Sequence, residues 1–83
     1  MNVTLKLFAT LSDHLPAGAQ GNQIVLPVVP GTTVQQLIEW LHLPSKLVHL
    51  VLVNGVYIPP EARAARVLAD GDTLAIWPPI AGG

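Results

Sequence analysis

The chain has 83 residues, of which 51% are hydrophobic, 11% are charged and none is cysteine, the composition of one small domain with ample material for a core. Abundant apolar residues and little charge exclude a disordered chain, and the lack of thiols excludes disulfides, thiolate metal sites and cysteine nucleophiles. The net charge of −1 comes with no basic cluster, so no nucleic-acid partner is expected.

Ordinary soluble domains carry about 25% charged residues, so a surface this poor in charge is expected to be covered in part by a partner. Met1 to Lys6 lacks the charged and apolar regions of a secretory signal. No apolar run approaches the roughly 20 residues that span a bilayer. A cytoplasmic protein with no membrane partner is the expectation.

In chain order, residues 2–8 alternate, with Val3, Leu5 and Leu7 on one side and Thr4, Lys6 and Phe8 on the other; period two predicts a half-buried strand. A helical turn is expected around Leu11 to Leu15, then a loop at Pro16, Gly18 and Gly21. Gln23 to Val29 reads as a second strand closed by Pro30 and Gly31. Thr33 and Gln36 have the spacing of a capping box, and Val34, Leu37, Ile38 and Leu41 mark one face of a helix. Pro44 is expected to end that helix, because it lacks an N–H and disfavours helix in the residue before it.

Leu47 to Val53 reads as an apolar strand, with Leu50 and Leu52 opposite Val51 and Val53 and free to serve either core or interface. Asn54-Gly55 is a hairpin turn, and Val56 to Ile58 is the short return strand. Glu61 to Leu68 is less regular and leads to a turn at Asp70-Gly71-Asp72. Thr73 to Trp77 is the last strand. One helix cannot cover both faces of four or five strands, so one sheet face is packed and the other open. The order predicts an α+β fold, a β-grasp (ubiquitin-like) roll with a mixed four- to five-stranded sheet and one main helix on one face. Residues 1–77 form this domain, and residues 78–83 a flexible tail.

Leu5 to Ala9, Gly31 to Val34, Val53-Asn54-Gly55, Asp70-Gly71-Asp72 and above all Trp77-Pro78-Pro79-Ile80-Ala81-Gly82-Gly83 together resemble the MoaD/ThiS family. Its members are the ubiquitin-like sulfur carriers of molybdopterin and thiamine biosynthesis. The proline pair and the longer first loop resemble the small subunit of molybdopterin synthase. Val53 to Pro59 is equally similar to the thiamine carrier. The tail is the part that partners read, so the resemblance favours the molybdopterin side, with the thiamine carrier as the alternative.

The resemblance implies that the C-terminal carboxylate of Gly83 is adenylated by an E1-like activating enzyme using ATP. A sulfur donor then displaces AMP to leave a thiocarboxylate. The acceptor side is a large subunit, that of molybdopterin synthase or a thiazole synthase. The chain itself is expected to bind no cofactor and to be a co-substrate, not an enzyme; the competing readings are a protein modifier of the ubiquitin kind and a plain β-grasp interaction module with an inert tail.

The residue types of the tail suit that chemistry. A free α-carboxylate is an anion at neutral pH and a poor acyl donor until an oxygen becomes a leaving group. Gly82 and Gly83 lack Cβ atoms, so the chain there is narrow enough to thread into a tight active site. Pro78 and Pro79 block strand pairing and favour an extended stem. Pro78, Pro79, Ile80 and Ala81 are assigned to partner binding, together with Phe8 and Trp77, which a β-grasp roll brings together on the open face. Exposed aromatics mark interfaces; the alternative for both rings is to cap the core edge.

His14, His42 and His49 are too scattered to form a metal site, and no metal is expected. Neither a catalytic triad nor paired carboxylates can be recognised, and Gly31-Thr32-Thr33 lacks the remainder of a phosphate loop.

Overall fold

Alternation in the first strand sets the layers. A computed structural model describes residues 1–79; the expectations for Ile80, Ala81, Gly82 and Gly83 lie outside the described residues. Strand β1 (Asn2–Leu7) buries Val3, Leu5 and Leu7 completely and turns Thr4 and Lys6 the other way. Each such aliphatic side chain contributes about 1.5–3 kcal/mol when removed from water.

A short 3₁₀ turn, Ala9–His14, drops Leu11 into the core. Strands β2 (Gln23–Pro27), β3 (Leu50–Val53), β4 (Val56–Tyr57) and β5 (Thr73–Trp77) complete a five-stranded sheet in the order β2-β1-β5-β3-β4. Parallel β1 and β5 form its centre and the other pairs are antiparallel. One α-helix, α1 (Val34–Trp40), packs Val34, Leu37 and Ile38 onto one face. This is the β-grasp, ubiquitin-like roll that the order of elements predicts.

Helix α1 has only seven residues, too few to be stable alone, so its ends are held by specific bonds. Gln36 N–H donates to Thr33 Oγ1 at 3.1 Å, and Thr33 N–H donates to Gln36 Oε1 at 3.0 Å, completing the capping box. The next free donors are taken by carbonyls of the 63–66 segment: Val34 N–H by Arg66 and Gln35 N–H by Arg63. With these donors occupied, the helix start offers no phosphate cradle.

The helix ends earlier than Pro44 requires. His42 adopts φ 56°, its N–H donates to the Glu39 carbonyl, and Leu43 N–H donates to the Ile38 carbonyl. That is a Schellman ending with histidine where glycine is usual. Buried Leu43 and Ile38 supply its apolar contact. The strand limits also contract relative to expectation. β1 stops at Leu7 because Ala9 turns to φ 52°. β3 starts at Leu50 because Ser45–Leu47 forms a 3₁₀ turn. β2 ends at Pro27 and β4 at Tyr57.

Candidate functional site

Register decides what the open face carries. Lys6, Ala75 and Leu52 lie side by side across β1, β5 and β3, and Leu52 pairs in turn with Tyr57 of β4. One step along, Leu50 pairs with Trp77. Phe8 follows β1 in the same register, its N–H donating to the Ile76 carbonyl at 3.1 Å. The two rings meet with centroids 4.1 Å apart and planes 7° from parallel. Phe8, Trp77, Leu50, Leu52 and Tyr57, with buried Ala75 beneath them, thus make one apolar patch on the face that α1 leaves uncovered.

The side of the sheet taken by Leu50 and Leu52, which parity alone left open, is settled: both face outward while Val51 and Val53 are buried. Leu50 and Tyr57 remain 36% and 51% exposed, and Phe8 and Trp77 are half-buried. Aromatic and aliphatic groups held on a rigid sheet and partly wet are the composition of a protein-binding hot spot. Lys6 is the one formal charge among the strand residues of this face.

The patch lies at the exit of the tail. His49 N–H donates to the Trp77 carbonyl at 3.1 Å, the last sheet bond of β5. Pro78 and Pro79, which have no N–H to offer, then leave the ladder, Pro78 half-buried and Pro79 exposed. Phe8, Trp77, Pro78 and Pro79 are therefore brought together at one edge of the face.

Two turns opposite the patch explain Asn54 and Asp72. Asn54 takes φ 52°, donates from its amide to Asp72 Oδ1 at 2.8 Å, and accepts from Thr73 N–H at 2.9 Å. Asp72 Oδ2 accepts from Ala69 N–H at 2.8 Å and sits 3.7 Å from the Arg66 guanidinium. The Ala69 bond, with help from Asn54 and Arg66, holds the Asp72 carboxyl below its ordinary pKa against the opposing pull of burial. These residues fix turns and have no place at the patch.

Among the described residues, no group of three or more His, Asp or Glu converges on a possible metal position, and no helix is long and apolar enough to cross a membrane. Sequence reasoning missed buried Arg63, whose Nε donates to the Ile58 carbonyl and whose Nη2 donates to the His49 carbonyl, both at 3.2 Å. An arginine in an irregular segment carries no local signal that it will turn inward.

Comparison with known proteins agrees with this architecture. The ThiS family model matches residues 5–83. The SAMP1 structure from Haloferax volcanii superposes with a TM-score of 0.71 at 25% identity, covering 100% of both chains. A putative molybdopterin converting factor subunit 1 from Pyrococcus furiosus gives a TM-score of 0.70 at 22% identity, over 95% of this chain and 98% of that one. A chain from the structure of the complex of subunits 1 and 2 of the Helicobacter pylori molybdopterin-converting factor matches with a TM-score of 0.57 at 19% identity over 100% of both chains. Among curated proteins, none matches by sequence. The chain belongs to the ThiS family, and its fold is that of the sulfur carriers and ubiquitin-like modifiers of the ThiS/MoaD group.

Proposed function

We propose that this protein is a sulfur carrier of molybdopterin biosynthesis, with the carboxylate of Gly83 as its working group. The observation that carries the reading is the placement of Pro78 and Pro79 at the rim of the apolar face, in a family match that continues through Gly83. A partner gripping Phe8, Trp77, Leu50 and Tyr57 is then positioned to receive the following residues in its own active site.

The chemistry is supplied by partners. An E1-like enzyme spends ATP to convert the Gly83 carboxylate to an acyl-adenylate, releasing pyrophosphate. Sulfide from a sulfur donor attacks the acyl carbon and expels AMP, leaving a thiocarboxylate. When that sulfur passes to the acceptor, water supplies the oxygen that restores the carboxylate. Gly82 keeps the chain slim at the point of attack, and Ile80 and Ala81 are assigned to partner binding. The acceptor complex is one with a large synthase subunit, as the paired subunits of the H. pylori factor suggest.

The modifier reading has its own support in the likeness to SAMP1. Intact mass after incubation with the activating enzyme, ATP and a sulfur source separates the two. A gain of about 16 Da, oxygen replaced by sulfur, supports the carrier. Adducts the size of a second protein support the modifier, and an unchanged mass contradicts both.

A further inference from the structure

Among the described residues Arg63 is the buried cation that makes no direct ion pair. It is 6% exposed, and its guanidinium carries a positive charge. Two of its nitrogens are spent on the neutral carbonyls of Ile58 and His49. Among the described residues no carboxylate lies within 4.0 Å of it; the ion pair they contain is Arg66 with Asp72. No buried polar atom is left unpaired among them, so Nη1, which has no protein partner there, must reach solvent.

Arg63 lines a cavity of about 270 Å³ with Gln35, Glu39 and Ser45 as its other polar members and Ile38, Leu43 and Val48 as apolar walls. Arginine is rarely buried without a paired anion, since an uncompensated charge is costly away from water. We propose that this cavity is a binding site for a small oxyanion, a single phosphate or carboxylate group held by Arg63. The Ser45 hydroxyl and the second amide hydrogen of Gln35 are the neighbouring donors.

Glu39 opposes such a ligand. Its Oε2 accepts from Gln35 Nε2 at 3.2 Å on the exposed side of α1, so it places a negative charge on the cavity wall and limits affinity. The site is also tied to the exit of the tail. The peptide carbonyl of His49 accepts from Arg63, and the His49 N–H donates to Trp77. Occupancy at Arg63 therefore bears on the root of β5 through one residue. The proposal does not depend on the sulfur-carrier reading, because it concerns the opposite layer of the fold.

The test is an NMR titration of the whole protein, following the Arg63 Nε–H and the Gln35 and Ser45 amides. Sodium phosphate and sodium acetate are the probes, each run against sodium chloride at matched ionic strength. Saturable shifts confined to the cavity are expected with at least one oxyanion; the tighter of the two identifies the source as phosphate or carboxylate. Glu39→Gln removes the opposing charge from an exposed position and should tighten binding about threefold. Ser45→Ala should weaken it. Shifts that chloride reproduces, that never saturate, or that ignore Glu39→Gln overturn the proposal and leave Arg63 as a structural staple alone.

Discussion

Phe8 and Trp77 stack face to face, their ring centroids 4.1 Å apart. They reach one another because β1 and β5 are parallel neighbours, with Leu7 opposite Ile76, so the next residue on each strand falls on the same open face. The stack is worth about 0.5–1.5 kcal/mol beyond its buried area, too little for the fold to depend on it. Nine large aliphatic side chains on the other face, in the Ala9–His14 turn and in α1 are fully buried without it. Trp77→Ala should therefore keep the fold, read by circular dichroism and amide dispersion, while weakening binding to the activating enzyme about 30-fold. Trp40→Ala is the matched control, since Trp40 is 64% exposed but lies on α1 in the opposite layer; it should leave that affinity unchanged. Unfolding of the Trp77 variant would assign the ring to the core.

Asp72 makes stability depend on pH in a defined direction. Its folded pKa lies below the unfolded value of 3.8. The stabilisation is therefore complete above that value, and it is lost as pH falls through the folded pKa. Asp72→Asn removes the charge and leaves a donor facing Ala69 N–H or the Asn54 amide. The expected cost at neutral pH is about 1–3 kcal/mol. Denaturant unfolding at neutral and acidic pH should show the gap between wild type and variant shrinking in acid; a gap independent of pH would contradict this account.

Pro27 protects a sheet edge. Met1 and Val28 exchange both backbone bonds, and Leu7 N–H donates to the Asn22 carbonyl. By alternation the polar backbone groups of Gln23, Val25 and Pro27 point outward from β2. Gln23 is satisfied by Gln20, and Pro27 has no N–H, so Val25 alone offers a complete donor and acceptor there. Pro27→Val restores a donor and should produce concentration-dependent self-association, measurable by sedimentation. A variant that stays monomeric at high concentration would show that the edge is blunted by other means.

Regular patterning made most of the frame legible. Alternation in β1, the capping box of α1, the Asn54-Gly55 turn and β5 from Thr73 to Trp77 all occur where local chemistry places them. The meeting of Phe8 and Trp77 followed from strand parity combined with the β-grasp order. The misplaced helix end has a different origin: proline is a visible stop, whereas His42 in a left-handed conformation is chosen by the packing of Leu43 against Ile38. The segment from Glu61 to Leu68 looked irregular because its bonds are long-range. Its carbonyls cap α1 and its Arg63 reaches the His49 carbonyl just before β3, and no periodicity announces either.

The central claim is that chemistry occurs at the carboxylate of Gly83. Its most direct test appends one alanine after Gly83 and compares sulfur transfer with the unmodified protein, using purified activating enzyme, ATP, a sulfur donor and no protease. The account predicts thiocarboxylate formation in the unmodified protein and none in the extended one, with binding through the Trp77 face retained by both. Equal sulfur transfer from the two proteins would contradict it.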